Sequence, residues 1–189
     1  MHYLQLVTLK NAQSSEEARE KAYITLSNES FASENGGFYG SSKADWFVIG
    51  GRWSGGLLEA IGDEKIKKAK EEIAKLLKKK RIAHTVDTLV INPHLIADTV
   101  RKEIESKYKK ISGIPFFRNT YEHHGYDDDA LLIKDEKTAK KIKKHLADYE
   151  DLECIIIDDN DYILDDKNFT EIKAKELVGR WLILVDYHN

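Results

Sequence analysis

With 189 residues, 41% of them hydrophobic and 33% charged, the chain can bury a sizeable core, and its apolar share excludes wholesale disorder. Lysine and arginine total 30 against 33 acidic residues, a net charge of -3, so no overall basic field draws the protein onto duplex nucleic acid. A lone cysteine, Cys154, excludes an internal disulfide, no apolar run approaches the roughly 20 residues that cross a bilayer, and residues 1–7 lack the basic start of a secretory signal, so a cytoplasmic protein without a membrane partner is expected.

Residues 3–9 read as a strand. Ser14 and Glu17 have capping-box spacing, and Ala18, Ala22 and Leu26 mark one face of the helix that follows. Residues 28–43, rich in Ser, Gly and Asn, read as loop, and residues 46–49 as a short aromatic strand ending at Gly50. Ile66, Ala69, Ile73, Leu76 and Leu77 then line a helix over residues 64–80, while residues 81–91 fit either a strand or a buried helical turn. Asn92 and Pro93 make a good helix start, Ile96, Val100, Ile104 and Tyr108 continue that helix, and Gly113 with Pro115 stops it. Lysines alternate with glutamates on both helices, the pattern of a solvated face.

Residues 130–133 read as a strand, Asp135 as the N-cap of a helix, and Ala139, Ile142, Leu146 and Tyr149 as that helix's inner face. Residues 153–157 and 162–164 flank Asp158-Asp159-Asn160-Asp161, a hairpin turn. Residues 181–185 form an unbroken apolar run of central-strand character. Strand, helix and strand recur at both ends. The pattern predicts a single α+β domain over residues 1–189, a ferredoxin-like mixed or antiparallel sheet with helices packed on one face and a central helical insertion over residues 57–115.

The densest cluster of chemically capable residues is Gly50, Gly51, Arg52, Trp53, Ser54 and Gly55. Glycines permit positive φ, so successive amides can converge on an anion. Arg52 can fork onto phosphate or carboxylate, and Trp53 can stack on a flat group such as a base. No Lys-Ser or Lys-Thr follows at Walker spacing, and the glycine spacing is not that of a dinucleotide fold. The same residues also suit a tight turn, with Trp53 in the core and Arg52 paired to a neighbouring acid.

The segment Asp45-Trp46-Phe47-Val48-Ile49-Gly50-Gly51-Arg52-Trp53-Ser54-Gly55, with Val185-Asp186-Tyr187-His188, resembles an uncharacterised group of bacterial and phage proteins. That group carries a "DWY-x-IGGRW-x-G" segment and a terminal "VD-x-H". Phe47 stands where the group usually has tyrosine, and Tyr187 where cysteine is common. The resemblance brings no activity with it, but implies that Arg52, Trp53, Asp186 and His188 belong to one site.

Two further constellations stand out. Asp186 and His188, two apart on a strand, share a face and can act as an acid-base pair. His123 and His124 precede Asp127 and Asp129; His123 is a candidate acid-base group, and His124, Asp127 and Asp129 are candidate ligands of a divalent metal, the one cofactor the sequence suggests. Their spacing matches no standard zinc pattern, and a solvated loop fits them as well. Together these residues point to recognition of a nucleotide or other small phosphorylated ligand, with hydrolysis of the phosphodiesterase or nuclease kind as a further expectation. A non-catalytic binder that sequesters a nucleotide signal between phage and host needs Arg52 and Trp53 but no acid-base partner. A protein-interaction module would use the aromatic loop as its hot spot.

Overall fold

The computed structural model describes residues 2–28, 46–82, 96–119, 122–149 and 152–188. It has two compact units, residues 1–61 with 119–189, and residues 62–118. Among the described residues no helix is long and apolar enough to cross a membrane.

The first unit is an α+β layer around a six-stranded mixed sheet. Its strands are β1 (His2–Leu9), β2 (Trp46–Ile49), β3 (Ala130–Leu132), β4 (Glu153–Ile157), β5 (Ile163–Asn168) and β6 (Trp181–His188). They lie in the order β2-β6-β1-β4-β5, with β3 also paired to β6. β1 runs parallel to β4 and antiparallel to β6, while β4 and β5 make an antiparallel hairpin. β1 covers β6 along one side from Trp181 to His188; β2 and β3 share the other side, β2 opposite residues 185–188 and β3 opposite 181–183.

Alternation along the strands divides the core in two. Val7, Leu9, Ile183 and Val185 pack with Ala18, Ala22 and Leu26 of α1 (Ser15–Asn28). Leu6, Leu182 and Leu184 pack instead with Leu57 of α2 (Gly56–Ile61), Ala139 and Ile142 of α5 (Glu136–His145) and Leu177 of α6 (Ala174–Leu177). Helices therefore cover both faces, a departure from the one-faced ferredoxin-like layer expected from the strand-helix-strand pattern. The apolar run of β6 is the physical reason. Residues 181–185 are all buried, and a strand with no polar face must be covered on both sides.

The helix starts follow their caps. Asp135 accepts the amide of Thr138 at 2.7 Å, and that bond holds its carboxyl below the ordinary carboxylate range. At the start of α1, the Ser14 hydroxyl accepts the Glu17 amide while the Glu17 carboxylate accepts the Gln13 amide.

The second unit pairs α3 (Glu64–Lys79) with α4 (Asp98–Ser112) through Ala69, Ile73, Leu77, Ile104 and Tyr108. Asp63 caps α3 by accepting the Lys65 and Ile66 amides, and Gly113 closes α4 in the left-handed conformation. α4 begins at Asp98 with Ala97 at its N-cap, so Ile96 precedes the helix; Asn92 and Pro93, the expected start, lie outside the described residues, as do the loop residues 29–43. α2, which falls within the expected 57–115 insertion, belongs with the sheet unit.

Candidate functional site

The glycine-rich segment leaves the sheet where β2 hands over to β3 along β6. Gly50 donates its amide to the Leu184 carbonyl at 2.8 Å, between Ile49, registered with Val185, and Ala130, registered with Ile183. A tight 3-10 turn follows at Gly51–Trp53, and α2 begins at Gly56.

Two buried carboxylates fix this turn. Asp129, fully buried, accepts the Ser54 hydroxyl at 2.6 and 2.8 Å, the Gly55 amide at 3.1 Å and the Tyr126 amide at 2.8 Å. Asp186, equally buried, accepts the Arg52 amide on Oδ2 at 2.9 Å. The glycines admit these carboxylates. Gly50 and Gly51 have φ of 74° and 54°, and a Cβ on the first would overlap the Asp129 carboxylate, on the second the Cβ of Asp186.

This geometry corrects the expected anion cradle. The Gly50 amide bonds Leu184, those of Arg52 and Gly55 bond Asp186 and Asp129, and those of Trp53 and Ser54 bond the Gly50 and Gly51 carbonyls. Those five backbone donors are spent inside the protein. Trp53 is half-buried against the α5-side core, so its indole is part of that wall. Arg52, by contrast, projects an exposed side chain, with no ion pair among the described residues.

On the same face, three rings gather at the far end of β6. Strand register sets His188 opposite both His2 of β1 and Trp46 of β2. The Trp46 and His188 rings stack with parallel planes, centroids 5.5 Å apart, and His2 meets both edge to face at 5.3 and 5.4 Å. The Oδ1 of Asp186 accepts Nδ1 of His2 at 2.8 Å. A carboxylate that accepts this bond fixes the proton on Nδ1 and leaves the lone pair on Nε2. One carboxylate thus holds both the backbone of Arg52 and the imidazole of His2. A buried acid orienting an imidazole is the arrangement that general acid-base chemistry uses.

The structure therefore groups Arg52, Asp186 and His188, three of the residues singled out in sequence, and adds His2 and Trp46. His2 had no signal of its own, because its partner lies 184 positions away and only the β1–β6 register joins them. His123 and His124 are elsewhere. Their rings lie by Tyr23, which packs with Phe47 on the α1 face, opposite Trp46 and His188. The His123 carbonyl accepts the Ile49 amide, a structural contact.

The proposed metal residues are likewise engaged. The Asp127 carboxylate pairs with the buried Arg19 of α1 at 2.7 Å, and Arg19 also donates to the carbonyls of His124 and Gly125. Asp129 serves the turn. No group of three or more His, Cys, Asp or Glu suited to a metal occurs among the described residues. Burial pushes the Cys154 thiol up to about 12, so it is inert at neutral pH.

The chain matches no protein-family model, and neither a curated protein nor a solved structure was found similar to it.

Proposed function

We propose that this protein binds a nucleotide or related phosphate ester at the β6 terminus and hydrolyses it, with His2 as the acid-base group. The reading rests on one observation, the Asp186 carboxylate that joins the Arg52 amide to His2 Nδ1. Nε2 of His2 takes the proton of the attacking water as its oxygen bonds to phosphorus and the ester P–O bond breaks; Asp186 stabilises the imidazolium, which then returns the proton to the leaving oxygen. The exposed guanidinium of Arg52 meets the phosphate and the charge that develops on it. The stacked pair of Trp46 and His188 offers the flat wall for a base, the role first expected of Trp53. A sequestering protein would share Arg52 and the aromatic wall; the His2–Asp186 bond, which simple binding does not need, favours the catalytic form.

The test is turnover of a panel of nucleoside monophosphates, cyclic nucleotides and single-stranded RNA, with and without Mg2+ or Mn2+. His2→Asn should lower kcat by about a hundredfold or more with KM little changed, while Arg52→Ala should raise KM. Binding without turnover in the wild type would leave the sequestering reading. Neither binding nor turnover would remove both.

A further inference from the structure

β1 and β4 run side by side and parallel, and at their registered pair Thr8 and Ile156 a cleft of about 460 Å3 opens between the sheet and α6. It is a different place from the His2 cluster. Thr8, in its wall, lies six residues along β1 from His2, about 20 Å at the rise of a strand.

Two buried polar groups face this cleft unsatisfied. Thr8 is 1% exposed, yet among the described residues its Oγ1 has no hydrogen-bond partner, nor has the buried Nη1 of the half-buried Arg180. Such orphans are few in native proteins, because a buried donor gives up water for nothing. Both groups belong to one face of the sheet. Thr8 is registered with Leu182, and Arg180 stands two residues before it. A guanidinium can only donate and a hydroxyl can donate, so the pair is completed by an acceptor with several lone pairs.

The surroundings point to an anion. The lining includes Lys10, Lys167, Lys175 and Arg180 against Asp165 and Glu176. Lys167 and Asp165 pair with each other at 3.1 Å, which leaves three cations facing one carboxylate. Aliphatic side chains such as Ile156, Leu164 and Leu177 supply the rest of the wall. Seven of the twelve lining residues are polar or charged and five are aliphatic, a mixed wall that can seat a charged head beside an apolar body.

We infer that this cleft is a second ligand site, which takes a small organic oxyanion, a phosphate monoester or a carboxylate with an apolar body, on Thr8 and Arg180. The inference is independent of the reading given to His2 and Arg52.

Calorimetric titration of the full chain with phenyl phosphate, benzoate and neutral phenol tests it. At least one anion should bind about tenfold or more tightly than phenol, and the tighter of the two identifies the headgroup. Arg52→Ala silences the other phosphate site, and binding in the cleft should persist in it; Thr8→Val or Arg180→Gln added to that background should each weaken the remaining binding by about tenfold or more. Thr8→Val removes an unpaired hydroxyl and should melt no lower than the wild type. The inference is overturned if no probe binds, if phenol binds as well as the anions, if both variants keep full affinity, or if affinity is lost in Arg52→Ala instead.

Discussion

Gly51→Ala should damage the sheet unit far more than Gly179→Ala, although both glycines have positive φ, 54° and 78°. The difference is space. Among the described residues a Cβ on Gly179 meets nothing within 4 Å, whereas on Gly51 it would overlap the Cβ of Asp186. Asp186 cannot retreat, because its strand is registered with Leu4 on one side and Val48 on the other. The turn must move instead, which breaks the bond from the Arg52 amide to Asp186. Left-handed backbone alone costs alanine about 1 kcal/mol, the expected loss at Gly179. Overpacking adds about 1–3 kcal/mol, and loss of a bond to a charged acceptor about 1.5–3 kcal/mol more. A total of about 4 kcal/mol is expected at Gly51, since such costs overlap when they share one displacement.

Urea unfolding followed by tryptophan fluorescence reads this directly, because Trp46, Trp53 and Trp181 all lie in the sheet unit. With a slope of about 1–3 kcal/mol per molar, the two midpoints should differ by about 1 M or more. Equal midpoints would refute the claim that Gly51 exists to admit Asp186.

Asp129→Asn places an amide where the carboxylate accepts from Ser54, Gly55 and Tyr126, and should destabilise the same unit by about 3 kcal/mol in that assay. The Cys154 thiol gives a pH prediction. Unfolded it ionises near 9.0, and folded near about 12, so the unfolded state loses its proton first. Its contribution is complete below pH 9 and lost as pH rises towards 12; Cys154→Ala should flatten that alkaline fall, and a thiol reagent should label the native protein only as it unfolds.

Much of the fold is legible along the chain because its signals are local. Ile66, Ala69, Ile73 and Leu77 repeat at helical period and are buried as that period requires, and the α1 face does the same; on α5 Ala139, Ile142 and Leu146 are buried, whereas Tyr149, expected on that face, lies past the helix end and is exposed. The sequence signals β5 only over residues 162–164, since Asp165 to Asn168 are polar and lie on a strand at the end of the sheet order. α6, at four residues, is too short to show a period. The two-sided cover was written in the β6 run itself, but the repeated strand-helix-strand order pointed to one face.

The candidate site was half legible. The glycines, Arg52 and Asp186 stood out by residue type, and the structure joins them. What the glycines do is hidden, because Asp129 and Asp186 reach them from 74 or more positions away. His2 and Trp46 enter through cross-strand register alone.

For this site to work as proposed, His2, His188 and Arg52 must meet the same guest. Ring signals of the two histidines, assigned by His2→Asn and His188→Asn and followed by NMR as a nucleoside 5′-monophosphate is added, measure this most directly. Both should shift together and saturate, and neither should respond in Arg52→Ala. Rings that stay still while signals elsewhere in the protein move would contradict it.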